Sequence, residues 1–144
     1  MNRLNYQHPR ILAVEDHPIE RKLLVLLGEA LGFKITVVSS GEEALQELSV
    51  RADFAVVLMD WCMPGSTGDG MDGLQCTRVI RERESITGGH TAIIGVTANA
   101  MLGHKKKCLE AGMDDYLSKP YTAEQFGSKI LKWINLWEDA KTAG

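Results

Sequence analysis

Five times along this chain a short run of β-branched or apolar residues gives way to a longer stretch with helical periodicity. Few folds accommodate that rhythm. Five βα units in succession predict an α/β fold, a doubly wound parallel sheet of five strands with helices on both faces. The strand-like runs are residues 10–14, 33–38, 54–59, 91–96 and 115–118. Residues 54–59 show no polar alternation, as expected of a strand covered on both faces. Between the runs, Pro18 opens a helix to about Leu31, with Gly32 as its stop. Ser40-Gly41-Glu42-Glu43 reads as a capping box for a helix through about Val50. Asp72-Gly73-Leu74-Gln75 caps a helix to about Arg83, and a further helix runs from about Ala100 to Gly112. Thr122-Ala123-Glu124-Gln125 caps a last helix to about Glu138.

At 144 residues the chain is expected to form one domain with a sizeable core. We assign residues 1–9 to an N-terminal extension, 10–138 to the domain and 139–144 to a tail. A net charge of -3 argues against nucleic acid or an anionic membrane as the main partner. The basic run Lys105-Lys106-Lys107 reads as a solvated helix face. No apolar stretch is long enough to span a bilayer, and the first residues lack the apolar segment of a secretion signal. The three cysteines, Cys62, Cys76 and Cys108, are too scattered for a disulfide framework or a zinc site. A cytoplasmic location is the expectation.

In a doubly wound sheet, ligands sit beyond the carboxyl ends of the strands. There the first strand delivers Glu15 and Asp16, the third Asp60, the fourth Thr97 and the fifth Lys119. Two carboxylates 4 Å apart repel by about 4 kcal/mol at an effective dielectric of 20, so three acids with one lysine call for a further cation. An all-oxygen donor set suits a hard ion, Mg²⁺ above all. Magnesium held by few carboxylates keeps positions open for phosphate oxygens, so the crevice reads as a phosphoryl site. Asp60 is then its nucleophile, with Thr97 donating a hydrogen bond and Lys119 pairing with the charge.

These residues carry a resemblance. Val14-Glu15-Asp16, Leu58-Met59-Asp60 with Met63-Pro64, Met71-Asp72-Gly73, Val96-Thr97-Ala98 and Ser118-Lys119-Pro120 resemble the motifs of response regulator receiver domains. The segments from Thr97 to Met101 and from Ala111 to Pro120 are most similar to receivers attached to hybrid sensor histidine kinases. The resemblance implies a flavodoxin-like fold with strand order 2-1-3-4-5. It implies that Asp60 accepts a phosphoryl group from phosphohistidine on a histidine kinase or histidine phosphotransfer domain. Asp16, Asp60 and the backbone carbonyl of Cys62 would bind Mg²⁺ directly, and Glu15 through a water. Thr97 and Tyr116 would form the switch pair, Lys119 the phosphate clamp, and the Lys119-Pro120 bond would be cis. The responding surface, and a candidate homodimer interface, would comprise the fourth helix, fifth strand and fifth helix. A parent kinase would tether the domain to the membrane without direct contact; the alternative context is a free-standing single-domain regulator.

The chain departs from the family in having six residues between Pro64 and Met71, where one is usual. We read them as a tolerated loop insertion, the sharper alternative being a lip over the site with Asp69 near the metal. An aspartate-nucleophile phosphatase would need a second aspartate where Cys62 stands, and a flavin module would need a phosphate-cradling loop where Glu15-Asp16-His17-Pro18 stands. His17 reads as a solvated turn residue. In the last helix Phe126, Ile130, Trp133, Ile134 and Trp137 form a core stripe, with Leu131 outside it. In the first helix Leu23, Leu27 and Ala30 are expected to face the core, leaving Leu24 and Val25 as a docking patch for a helical partner.

Overall fold

The computed structural model describes residues 9–51, 53–61, 71–98 and 102–143. Strands and helices alternate as β1 (Arg10–Val14), α1 (Pro18–Leu31), β2 (Lys34–Val38), α2 (Gly41–Val50), β3 (Phe54–Asp60), α3 (Gly73–Thr87), β4 (Ala92–Thr97), α4 (Leu102–Ala111), β5 (Asp115–Ser118) and α5 (Ala123–Ala143). Every strand pairing is parallel, and the order across the sheet is β2-β1-β3-β4-β5. The order reverses between β1 and β3, so the crevice expected from the sequence opens at their carboxyl ends.

The helices cover both faces, and the sheet side chains divide between two cores. Ile11, Ala13, Val56, Leu58, Ile94 and Val96 pack with Leu24 of α1 and Phe126, Ile130 and Ile134 of α5. Leu12, Val14, Val57, Met59 and Ile93 pack with Ala44 and Leu45 of α2, Cys76 and Ile80 of α3 and Cys108 of α4. A register shift between Arg10 and Ile11 skips Ala55, which places both Ala55 and Val56 in the first core. All seven residues of β3 are buried, as the unalternating apolar run implied. Cys76 and Cys108 are buried free thiols, and burial pushes Cys76 up to about 12.

Most helix ends follow the sequence. Gly32 closes α1 at φ 81°, a left-handed conformation that glycine adopts without a Cβ penalty. Asp72 and Gln75 cap each other reciprocally, as do Thr122 and Gln125. At α2 the Ser40 hydroxyl accepts from the Glu43 backbone N–H, but the Glu43 carboxylate reaches Ser39 rather than Ser40, at 2.6 Å from both its backbone nitrogen and its hydroxyl. The reciprocal arm of the expected box is therefore displaced by one residue. Two helices outrun their expected ends, α3 to Thr87 and α5 to Ala143. In α3 the residues past Arg83 are largely outward, with the one apolar side chain among them, Ile86, exposed, so no core-facing periodicity announces them, and α3 stops only at Gly88, with φ 87°.

The face of α1 differs from expectation. Leu24 and Gly28 are buried and Leu27 packs on the core, whereas Leu23 is 58% exposed and Ala30 is exposed. The outward large apolar residues are Ile19, Leu23, Val25, Leu26 and, at the C-terminal end, Leu31. The α5 stripe is as expected, with Leu131 exposed.

At the sheet end remote from the crevice, Arg81 of α3 ties three segments together. Its guanidinium bonds Glu84, the Thr91 and Gly112 carbonyls and, at 2.6 Å, Asp114. Asp114 also accepts from the Ile93 backbone N–H. Removing the arginine takes the guanidinium from two largely buried carboxylates and from two backbone carbonyls, so Arg81→Ala is expected to lower stability by about 3 kcal/mol in urea unfolding. A loss under about 0.5 kcal/mol, typical of an unimportant surface site, would contradict this.

Candidate functional site

Each site residue is placed by a strand end. β1 stops at Val14, and the Glu15 backbone N–H bonds the Val38 carbonyl at 3.0 Å, which carries Glu15 one step beyond the sheet. Its side chain turns inward and is 3% exposed. Asp60 ends β3 at 8% exposure and Thr97 ends β4 at 5%. Two cross-strand bonds level the floor, Trp61 N–H to the Val96 carbonyl and Lys119 N–H to the Thr97 carbonyl. The Lys119-Pro120 peptide is cis, as the resemblance implied.

Glu15, Asp16 and Asp60 each offer a carboxylate oxygen, and the three lie within 4.8 Å of one another. A crevice of about 270 Å³ is lined by these acids with His17, Glu20, Thr97, Ala98 and Lys119. The Lys119 ammonium bonds Glu15 at 3.2 Å and Glu20 at 3.0 Å. Glu20 is the site residue that the sequence reading missed. It lies in the first turn of α1, whose N-terminus faces the strand ends, and that placement is the signal that could have found it.

Charge is badly balanced here. Burial, then the Glu15 charge, raise Asp60 to about 7 despite the opposing Lys119 ammonium. Burial, then the bond with Glu20, raise Glu15 as well. Burial lowers the affinity of Lys119 for its proton, but its bond to the Glu20 carboxylate and the charges of Asp60 and Glu15 outweigh this and hold the lysine above its ordinary value. A cluster of oxygen donors that raises the proton affinity of its own acids would be relieved by a cation. The three carboxylates of Glu15, Asp16 and Asp60 form an all-oxygen donor set whose chemistry fits a hard divalent cation such as Mg²⁺.

Met71-Asp72-Gly73 serves the same floor. The Gly73 N–H bonds the Trp61 carbonyl at 3.1 Å, and a Cβ on Gly73 would overlap the Asp60 carbonyl oxygen. Only glycine lets α3 start so close to the acid.

Tyr116 stands apart from the crevice. It pairs in register with Gly95, while Thr97 pairs with Ser118. Its ring lies between two ammoniums, Lys105 of α4 at 5.4 Å from the centroid and Lys129 of α5 at 5.9 Å. The structure thus brings Glu15, Asp16, Asp60, Thr97 and Lys119 together and puts Tyr116 on the α4–β5–α5 face. Cys62, Asp69 and the six-residue insertion lie outside the described residues.

Two outcomes test this geometry. In metal-free protein, folded Asp60 keeps its proton up to about pH 7, whereas an unfolded aspartate releases it near 3.9. The folded state binds more protons between those values, so its stability falls as pH rises through that window. Asp60→Asn cannot ionise. In chelator it should be more stable than the parent at pH 8, by at most about 4 kcal/mol, and no more stable at pH 4. Equal urea midpoints at pH 8 would refute the crowding. Gly73→Ala should cost about 1–3 kcal/mol in the same measurement, and a neutral effect would refute the close approach.

The sequence pattern of the response regulator receiver domain family matches residues 11–131. Sensor histidine kinase GacS of Pseudomonas protegens is 40% identical over 134 residues, covering 92% of this chain and 14% of that protein. Sensor histidine kinase RcsC of Escherichia coli K12 is 42% identical over 114 residues, covering 79% of this chain and 11% of that protein. The chain thus spans a small fraction of the relatives it matches. Among solved structures, the receiver domain of a sensor histidine kinase from Pseudomonas aeruginosa PAO1 superposes with a TM-score of 0.76 at 32% identity, covering 90% of this chain and 99% of that one. That structure has a magnesium ion coordinated in its active-site cleft. By fold, by strand-end residues and by descent, the chain belongs to the response regulator receiver domain family.

Proposed function

We propose that the domain accepts a phosphoryl group on Asp60 from phosphohistidine, with Mg²⁺ bound, as a relay step within a hybrid histidine kinase. The observation that carries this is the cluster of Glu15, Asp16 and Asp60, set at the carboxyl ends of β1 and β3 with Lys119 facing it. The hybrid-kinase context rests on the GacS and RcsC matches.

In the transfer, an ionised Asp60 oxygen bonds to phosphorus as the bond from phosphorus to the histidine nitrogen breaks. The leaving imidazole keeps the electron pair and takes up a proton. Mg²⁺, when bound, supplies the positive charge that keeps Asp60 ionised at neutral pH and offsets the phosphoryl oxygens. Asp16 and Asp60 would hold it, with Glu15 acting through a water and the Cys62 carbonyl completing the set. The Thr97 hydroxyl would donate to the new phosphoryl group, and Lys119 would pair with its charge of about −1.5 to −2.

The switch would then run through Thr97 to the α4–β5–α5 face. Tyr116 starts from a position between two lysines, so its movement would trade cation–π contacts, each worth about 0.5–1 kcal/mol at an exposed site, for burial near Thr97. A homodimer across this face would set Lys105, Lys129 and Lys132 of two copies against one another, a repulsion that salt screens. Ile19, Leu23, Val25 and Leu26 give α1 an outward apolar surface suited to a helical, histidine-bearing partner. No helix of the described residues is long and apolar enough to cross a membrane. Any membrane tether would belong to the parent kinase, and the domain itself would work in the cytoplasm.

Incubation with Mg²⁺ and acetyl phosphate should add one phosphoryl group by intact mass. The adduct should be alkali-labile and disappear with chelator or with Asp60→Ala. A label that persists in Asp60→Ala would place the acceptor elsewhere.

A further inference from the structure

Lys119 is the clamp in the reading above, yet in this structure its ammonium is drawn toward α1. Its hydrogen bonds are to Glu15 at 3.2 Å and Glu20 at 3.0 Å, while it acts on Asp60 only as a charge at a distance. Glu15 belongs to the acidic floor and is buried, so it has little freedom to move. Glu20 differs. Its side chain is 40% exposed, at the rim, on a helix rather than on the floor. An amine on a flexible stem between two acceptors takes the position that their combined field favours. We propose that Glu20 is a positioning residue that holds Lys119 at the α1 rim, so that an incoming phosphoryl group must compete with Glu20 for the lysine. The proposal rests on Asp60 being the acceptor and adds a residue to that site.

Two consequences follow from the geometry. While Lys119 is engaged with Glu20, it neutralises the acidic floor less, and the floor keeps its negative charge for a cation. When the lysine moves to the phosphoryl oxygens, the first turn of α1 loses its ionic tie to the loop after β5. That turn carries Ile19 and lies next to Leu23, both exposed. The state of the site is thereby coupled to the apolar surface of α1.

The test is phosphorylation by acetyl phosphate at saturating Mg²⁺, followed by intact mass, for wild type, Glu20→Gln, Glu20→Asp and Glu29→Gln. Freeing the lysine from a partly exposed ion pair should raise the second-order rate constant about two- to fivefold in Glu20→Gln. Glu20→Asp keeps the charge but retracts the oxygen, so it should resemble Glu20→Gln if position matters and wild type if only negative potential does. Glu29→Gln removes the same charge elsewhere on α1 and should leave the rate unchanged. In protein carrying isotope-labelled lysine, the Lys119 ε-methylene resonance should move in Glu20→Gln and Glu20→Asp but not in Glu29→Gln, a signature that altered stability would not produce. Wild-type rates with an unmoved Lys119 signal in both Glu20 variants would overturn the proposal, as would a Glu20→Asp that behaves as wild type. Failure of the wild type itself to take up phosphate, or uptake by Asp60→Ala, would overturn the acceptor assignment instead.

Discussion

The repulsion among carboxylates at the ends of β1 and β3 is the constraint on which the rest of the molecule depends. Glu15 and Asp60 are almost inaccessible to water, Asp16 lies beside them, and Glu20 closes the rim, against the single ammonium of Lys119. Left to itself such a group would splay or take up protons. Splaying is resisted because Asp60 ends the central strand β3 and Glu15 is tied by its backbone N–H to the Val38 carbonyl, so the strain appears instead as proton affinity. The sheet thus stores an electrostatic deficit that a dication or a shared proton can relieve. Asp60, lifted to about 7, is where that deficit is concentrated.

The two cores make this rigidity available. β3 is covered on both faces and flanked by β1 and β4, so Asp60 cannot retreat without disrupting the centre of the sheet. Gly73 then lets α3 begin directly over the Asp60 and Trp61 backbone. The moving parts are the long side chains at the rim. Lys119 has alternative acceptors, and Tyr116 rests among lysines rather than in a packed pocket. A stiff floor beneath mobile rim groups is an arrangement in which added charge can be converted into surface change.

Where reading the sequence succeeded, the reason was local. The αL glycine after Leu31, the Asp72–Gln75 box and the unalternating β3 run each follow from chemistry within a few residues. The expected site residues on β1, β3 and β4 and after β5 converge because parallel βα topology leaves one crevice for strand ends to share. Where the reading fell short, the missing information was relational. The periodicity of α1 does not say which of Leu23 and Leu24 meets the sheet, because adjacent apolar positions give two near-equivalent stripes and the tilt of the helix chooses between them. The Glu43 carboxylate bonded Ser39 instead of Ser40 because both lay within reach and the extended entry to α2 presented the earlier residue. The last turn of α3 turns its one apolar residue, Ile86, outward and so carried no core-facing signal.

Sequence alone determined the five βα units, the acids and the lysine at the strand ends, and through them the family, since periodicity and motif spacing are properties of the chain read in order. Only the folded structure decided what Lys119 bonds, that Glu20 joins the site, that Tyr116 sits between Lys105 and Lys129, and which residues α1 turns outward. Those are contacts between side chains 11 to 104 positions apart, and their energies depend on distance and burial, which no one-dimensional pattern contains.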